Sequence, residues 1–333
     1  MTTKIGINGF GRIGKLVFRL LQYKPDIEIV GINDPADIVT LAHLLKYDTA
    51  HGRFDGEVAI EGDSLLVNGK AIAVYHALAP SDIPQTMHGA DIVIEASGKF
   101  TTREQLAQHL ESGARRVVLT CPPKGALDKT IIIGINEKTL TADDHIISNA
   151  SCTANCVAPM LKVLHENFGI KSVFMNTVHP ATNNQSLIDA PRTDLRRART
   201  ALTNIIPTTS TAIPVIMELM PHLVGRFDGF ATRVPVDDGS LIELNAVVER
   251  ATSVEEINEV FRSAAENHLK GVMEFTRDAI VSSDIVGNAH SVVFDSLLTK
   301  VLQGNFVQIV GWYDNEYGYS NRVVDLIDLI REM

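Results

Sequence analysis

The chain has little cysteine: three residues in 333, an odd number that cannot close into a disulfide framework. A reducing compartment is expected, and any special thiol is a candidate for chemistry rather than cross-linking. Long apolar runs are missing too. No stretch approaches the roughly 18 to 20 residues that span a bilayer, so no membrane role is expected. The opening MTTKIGING enters an apolar alternating segment without a charged and apolar leader, so export is not expected and a cytoplasmic location follows. Positive charge is in deficit: 30 Lys plus Arg against 40 Asp plus Glu give a net charge of -10, which repels nucleic acid and anionic surfaces. A phosphorylated ligand needs a local basic pocket.

What is present is ordinary globular composition, 45% hydrophobic and 21% charged, in a chain too long for a single core. Two domains are expected. The first 150 or so residues alternate β-branched runs at 4–8, 28–33, 90–95, 116–120 and 146–149 with helical patterns at 12–22, 38–45 and 103–112. That is α/β grammar, a mostly parallel sheet covered by helices, with Gly113 stopping the third helix. Beyond Ser151 one helix, 153–167, precedes longer alternating strands at 172–178, 230–234 and 241–248, which predict an α+β region with a mostly antiparallel sheet. The ending 322–333 reads as a helix.

Directly after the first strand stands Gly9-Phe10-Gly11-Arg12-Ile13-Gly14, opening a helix. Glycines here permit a tight turn, backbone approach to a pyrophosphate and close helix packing, while the helix N-terminus supplies N–H groups and positive potential. Asp34 ends the second strand about 20 residues later, where a carboxylate accepts from an adenosine ribose and repels a 2′-phosphate. The cofactor expected is NAD. Read alone, the glycines are only a turn and Asp34, before Pro35, only a turn former.

Cys152 opens the helix after Ser151, so its thiolate should be stabilised by the helix N-terminus. Cys156 lies one turn deeper and reads as a packed residue. A C-x-x-x-C spacing without further Cys or His nearby does not make four metal ligands, and no metal is expected. His179, after an apolar strand, is a candidate base for the thiol, although any one of 11 histidines is as easily structural. Arg196, Arg197 and Arg199 could be a solvated face, whereas Arg233, inside the apolar FATRVPV, needs a partner or ligand.

INGFGRIG, KYDTAHGRF, SNASCTANC, DLRRAR, IIPT, RVP and WYDNEYGYSNR, in this order and spacing, resemble the glyceraldehyde-3-phosphate dehydrogenase family over essentially the whole chain. The resemblance implies a Rossmann NAD-binding domain at 1–149 plus the C-terminal helix 316–333, a catalytic domain at 150–315, and a homotetramer. It implies that Cys152 attacks the aldehyde of a small phosphorylated substrate, that His179 is the base, and that inorganic phosphate releases an acyl phosphate. Cofactor contacts carry onto Gly9, Gly11, Arg12, Ile13, Gly14, Asp34, Thr120 and Asn315. Substrate and phosphate contacts carry onto Ser151, Thr153, Thr182, Arg197, Ser210, Thr211 and Arg233. Ser151 and Thr153 could equally be helix-capping residues, and Asn315 a turn former.

Several positions depart from the family pattern. SCTTNC reads SCTANC, HAYT reads HPAT, TTTGAAK reads Thr208-Thr209-Ser210-Thr211-Ala212-Ile213-Pro214, and RVPTPN acquires Asp237 and Asp238. Thr211 replaces a glycine, and a Cβ there could alter the site for attacking phosphate. The rival readings are an erythrose-4-phosphate dehydrogenase, whose pattern loses the threonine found here at Thr182, a variant with another acyl acceptor, and a non-catalytic protein that kept the fold.

Overall fold

Strands buried on both faces are largely apolar: in β1 (Thr3–Asn8) the last four residues are buried, as is all of β6 (Ile92–Glu95), with the polar Asn8 and Glu95 at the strand ends. The computed structural model describes residues 2–84, 87 and 89–333. Its remaining early strands are β2 (Ile27–Asn33), β3 (Val58–Glu61), β4 (Ser64–Val67), β5 (Lys70–Tyr75), β7 (Arg116–Leu119), β8 (Lys129–Thr130) and β9 (Ile146–Ser148). They form one nine-stranded sheet in the order β3-β4-β5-β2-β1-β6-β7-β9-β8. It is parallel from β5 to β8, with an antiparallel β3-β4-β5 edge.

Helices follow the apolar spacing. α1 (Arg12–Leu21) buries Gly14, Val17, Phe18 and Leu21, one face at i, i+3, i+4 and i+7. Side chains of this size stabilise by about 1.5–3 kcal/mol each when buried. Asp37 caps α2 (Ile38–Lys46) by accepting from Thr40 N at 2.9 Å. Thr102 and Gln105 form a capping box on α3 (Arg103–Glu111), and Gly113, at φ +117°, follows its end as its sequence position predicts.

The later strands are β10 (Ile170–Pro180), β11 (Ile206–Thr208), β12 (Phe227–Val234), β13 (Ser240–Val248), β14 (Met273–Thr276), β15 (Val292–Asp295), β16 (Lys300–Leu302) and β17 (Phe306–Tyr313). They make an eight-stranded sheet, β11-β12-β10-β13-β17-β15-β14 with β16 on β17. Most pairs are antiparallel; β10 with β12 and β14 with β15 are parallel. Helices α4 (Cys152–Phe168), α5 (Ala212–Leu219) and α6 (Val254–Glu266) belong to this region. The expected α/β first part and α+β second part with a mostly antiparallel sheet are what the chain adopts.

The C-terminal helix α7 (Tyr317–Arg331) starts five residues before the helical pattern at 322. Asp314 Oδ1 accepts from Glu316 N at 2.8 Å and Tyr317 N at 2.6 Å, which begins the first turn ahead of the apolar periodicity. Two compact units result, 1–131 with 136–150 and 320–333, and 132–135 with 151–319. Among the described residues no helix is long and apolar enough to cross a membrane.

Candidate active site

In the first unit β1 lies between β2 and β6, so successive crossovers leave it in opposite directions. Ligands of doubly wound sheets sit beyond the strand C-termini at such a reversal. Gly9 follows β1 at φ +93°, and a Cβ on it would fall 2.3 Å from Ser97 N, beyond the end of β6. A Cβ on Gly14 would fall 2.1 Å from the Gly9 carbonyl oxygen, so helix and turn touch there. Gly11 has open space where its Cβ would point, no side chain caps α1, and no acidic residue stands in its first turn. Its N-terminal N–H groups and open glycine suit a dinucleotide pyrophosphate.

Asp34 accepts from Phe10 N at 2.8 Å and from Ala36 N at 2.9 Å, which fixes its carboxylate beside the glycine turn. Arg12 is held by a two-point ion pair to Asp48, whose carboxyl is kept below the usual range, against its own burial, by that arginine and the His51 amide. Thr120 donates from Oγ1 to the Glu95 carbonyl at 3.2 Å, just past β7.

The second unit gathers the nucleophile and base candidates. Ser151 accepts from Ala154 N at 3.1 Å and caps α4, so its side chain is engaged as a helix cap. Cys152 is the first residue of α4, and its Sγ lies 3.6 Å from His179 Nε2. His179 is buried near the end of β10 with Nδ1 2.8 Å from the Pro180 carbonyl oxygen, and the tautomer that carries its proton on Nδ1 donates to that carbonyl. In that tautomer Nε2 offers a lone pair to the thiol.

Parallel register places Arg233 of β12 beside His179. Its Nη1 donates to the same Pro180 carbonyl at 2.9 Å and comes within 2.5 Å of Nδ1. Burial first, and this guanidinium second, lower the His179 pKa to about 3. Burial also pushes the Cys152 thiol up, with Arg233 and Thr153 pulling the other way. This corrects the expectation of a lowered thiol pKa at the helix N-terminus, because desolvation outweighs it. Cys156 is fully buried, as its place one turn deeper predicts.

Arg197 donates from Nε to Thr208 Oγ1 at 2.7 Å and from Nη2 to Thr209 Oγ1 at 3.2 Å, and pairs with Asp194. Thr208 of β11 lies opposite Ala231, two residues from Arg233 along the same face of β12. Arg233 Nε is buried with no partner among the described residues, a donor left for a ligand. Ser210 accepts from Ala212 N at 3.3 Å. Thr211 has φ -73° and ψ -8°, a conformation open to any residue, so its Cβ imposes no backbone strain in place of glycine. Thr182 donates from N to Gln185 Oε1 at 2.9 Å.

Asn315 is buried, and its Oδ1 accepts from Ser240 Oγ at 2.7 Å, which leaves the amide NH2 to act as donor. Ser240, Thr208, Thr209 and Tyr313 were not singled out in the sequence. Each sits in or beside an apolar strand and acts through a neighbour, and although Thr208, Thr209 and Tyr313 fall within quoted motifs, nothing local assigns them a role.

Residues 151–315 match the family model described as glyceraldehyde 3-phosphate dehydrogenase, C-terminal domain, and residues 3–103 match its NAD binding domain. The chain is 49% identical over 327 residues to glyceraldehyde-3-phosphate dehydrogenase of Geobacillus stearothermophilus, covering 98% of this chain and 97% of the relative. It is 51% identical over 329 residues to that of Streptomyces coelicolor, with 98% of each covered. The chain belongs to the glyceraldehyde-3-phosphate dehydrogenase family. The enzyme of Thermotoga maritima is also similar, 49% identical over 332 residues and 99% of each chain. Members of this family use NAD, and the glycine turn with Asp34 fits that cofactor.

Proposed function

We propose that the protein is an NAD-dependent, phosphorylating glyceraldehyde-3-phosphate dehydrogenase, with its cofactor on the 1–149 region plus 316–333 and its chemistry on 150–315. The observation that carries this reading is the 3.6 Å approach of Cys152 Sγ to His179 Nε2 beside a half-buried arginine whose Nε is left without a partner among the described residues.

Cys152 attacks the aldehyde carbon while His179 Nε2 takes the thiol proton, giving a thiohemiacetal. His179 then holds the proton of the thiohemiacetal hydroxyl as the carbon is oxidised to a thioester. Bound NAD supplies the hydride acceptor for that step. Arg233 and Arg197 hold the phosphate of the substrate and the attacking inorganic phosphate, since guanidinium groups match phosphate oxygens two at a time. Thr182, Ser151, Thr153, Ser210 and Thr211 line these sites. Asp34 holds the adenosine ribose, Gly9 to Gly14 the pyrophosphate, Thr120 the neighbouring strand end, and Asn315 Nδ2 the carboxamide.

Assembly into a homotetramer is supported by apolar side chains left in solvent. Phe174 of β10 and Phe230 of β12 share the outer face of their sheet, and Leu187, Ile188, Leu195, Leu202 and Ile205 lie exposed on the segment leading to β11. Apolar exposure on this scale marks a protein interface. A cytoplasmic location fits three unpaired cysteines.

The test is initial NADH formation with glyceraldehyde 3-phosphate or erythrose 4-phosphate, each with and without inorganic phosphate. Phosphate-dependent turnover of the triose that vanishes in Cys152→Ser is expected. Preference for the tetrose, or indifference to phosphate, would move the activity to one of the rival dehydrogenases, and no turnover would point to a binding protein.

A further inference from the structure

Lys15, the fourth residue of α1, is only 7% exposed, a costly place for an amine unless it is bonded. Burial first, and the Arg12 guanidinium second, lower its pKa. Its Nζ donates to the Phe10 carbonyl at 3.1 Å, a bond that runs from the helix back into the glycine turn. Phe10 N donates to Asp34 Oδ2 at 2.8 Å, so Phe10 is held through both of its peptide groups.

The backbone around it is engaged as well. Gly9 N donates to the Asn33 carbonyl at 2.7 Å, and the Gly11 carbonyl accepts from Lys15 N at 3.1 Å. Gly11 N, in contrast, has no hydrogen-bond partner among the described residues, and a Cβ on Gly11 would meet nothing within 4 Å. The peptide between Phe10 and Gly11 is trans, so its C=O and N–H point in opposite directions. Lys15 draws the C=O towards the helix interior, and the N–H of the same peptide is thereby aimed away from it.

We infer that Lys15 is a positioning residue for the cofactor: it fixes the peptide between Phe10 and Gly11 so that the Gly11 N–H is presented to an oxygen of the pyrophosphate. A donor on the carbonyl side also polarises the peptide and strengthens its N–H. Among the described residues Lys15 Nζ is the one donor to the Phe10 carbonyl. Without it the peptide can rotate, and a carbonyl oxygen turned towards phosphate sets acceptor against acceptor. The inference rests on the reading of the glycine turn as the pyrophosphate seat.

The test is calorimetric titration of the full-length protein, freed of nucleotide, with ADP-ribose and with adenosine, which lacks the pyrophosphate. Lys15→Met keeps the length and apolar stem of the side chain and removes the donor. It should weaken ADP-ribose by about tenfold, the size of one hydrogen bond to a charged group, while adenosine stays within about twofold. Lys15→Arg, which still donates, should recover most of the loss. Gly11→Pro deletes the N–H itself at a φ of -76°, which proline adopts, and should weaken ADP-ribose by a similar factor. Lys15→Met added to Gly11→Pro should then cost little more, because both act on one bond. Equal weakening of the two ligands by Lys15→Met, an unchanged ADP-ribose affinity, or a full second loss in the double variant would overturn the inference. Lys15→Leu, shorter and also without a donor, carries the comparison if methionine disturbs packing. A wild type that binds ADP-ribose no more tightly than adenosine would remove the pyrophosphate from the turn, and the inference with it.

Discussion

His179 Nδ1 lies 2.8 Å from the Pro180 carbonyl oxygen while Nε2 lies 3.6 Å from Cys152 Sγ, so a proton donated from Nδ1 to that carbonyl leaves Nε2 open to the thiol proton. Arg233 bonds to that same carbonyl. The tautomer, the base and the cation are thereby set by three neighbouring strand residues rather than by a loop.

Alkylation at neutral pH should be fastest at Cys152. Burial pushes the Cys121 thiol up to about 11 and the fully buried Cys156 thiol well above its usual value, whereas Cys152 has a base 3.6 Å from its sulfur. Peptide mapping after brief iodoacetamide treatment measures this. Equal labelling of all three would contradict the arrangement.

Removing Arg233 should act twice. Arg233→Ala loses charge-assisted bonds worth about 1.5–3 kcal/mol each, so kcat/KM should fall by roughly 10- to 150-fold per bond to the substrate phosphate. Because the guanidinium depresses the His179 pKa, its loss should also raise that pKa and move the acidic limb of the rate profile upward. A rate loss without movement of the limb would mean that Arg233 binds phosphate only.

Stability should carry the same signature. His179 has a folded pKa of about 3 against 6.5 for the free group, so folding excludes a proton that the unfolded chain binds. This contribution is fully present above pH 6.5 and is lost as pH falls towards 3, by up to about 1.4 kcal/mol per pH unit. Urea denaturation of the wild type and His179→Asn at pH 7 and pH 5 should show the wild type losing more. Parallel losses would place His179 in water.

Asp34→Asn should weaken the preference for NAD over NADP, by about tenfold or more in the ratio of kcat/KM values, because the charge that repels a 2′-phosphate is gone. The amide is of the same size, and its single oxygen keeps one of the two bonds from the Phe10 and Ala36 N–H groups. An unchanged ratio would remove Asp34 from cofactor choice.

Much of this was legible in the sequence for local reasons. The glycine turn, Asp34, the α4 start at Cys152 and the apolar strand before His179 are short-range patterns. The hairpin between β4 and β5 had a signal as well, since Asn68 and Gly69 adopt φ of 50° and 79°, as an Asn-Gly turn should. The early start of α7 was not legible, because an Asp cap and no apolar periodicity defines it. The thiol's raised pKa could not be read either, for its burial depends on elements far apart in the chain. Ser240 and Tyr313 were hidden for the same reason.

His179 and Arg233 are paired across β10 and β12, and residues of a strand alternate between faces. A slip of one residue between these strands would turn one of the two side chains away from the sulfur while preserving most backbone bonds. Recovery of activity after denaturation is therefore a clock for strand registration: it should lag the return of secondary structure seen by circular dichroism, and the delay measures how long misaligned sheets persist.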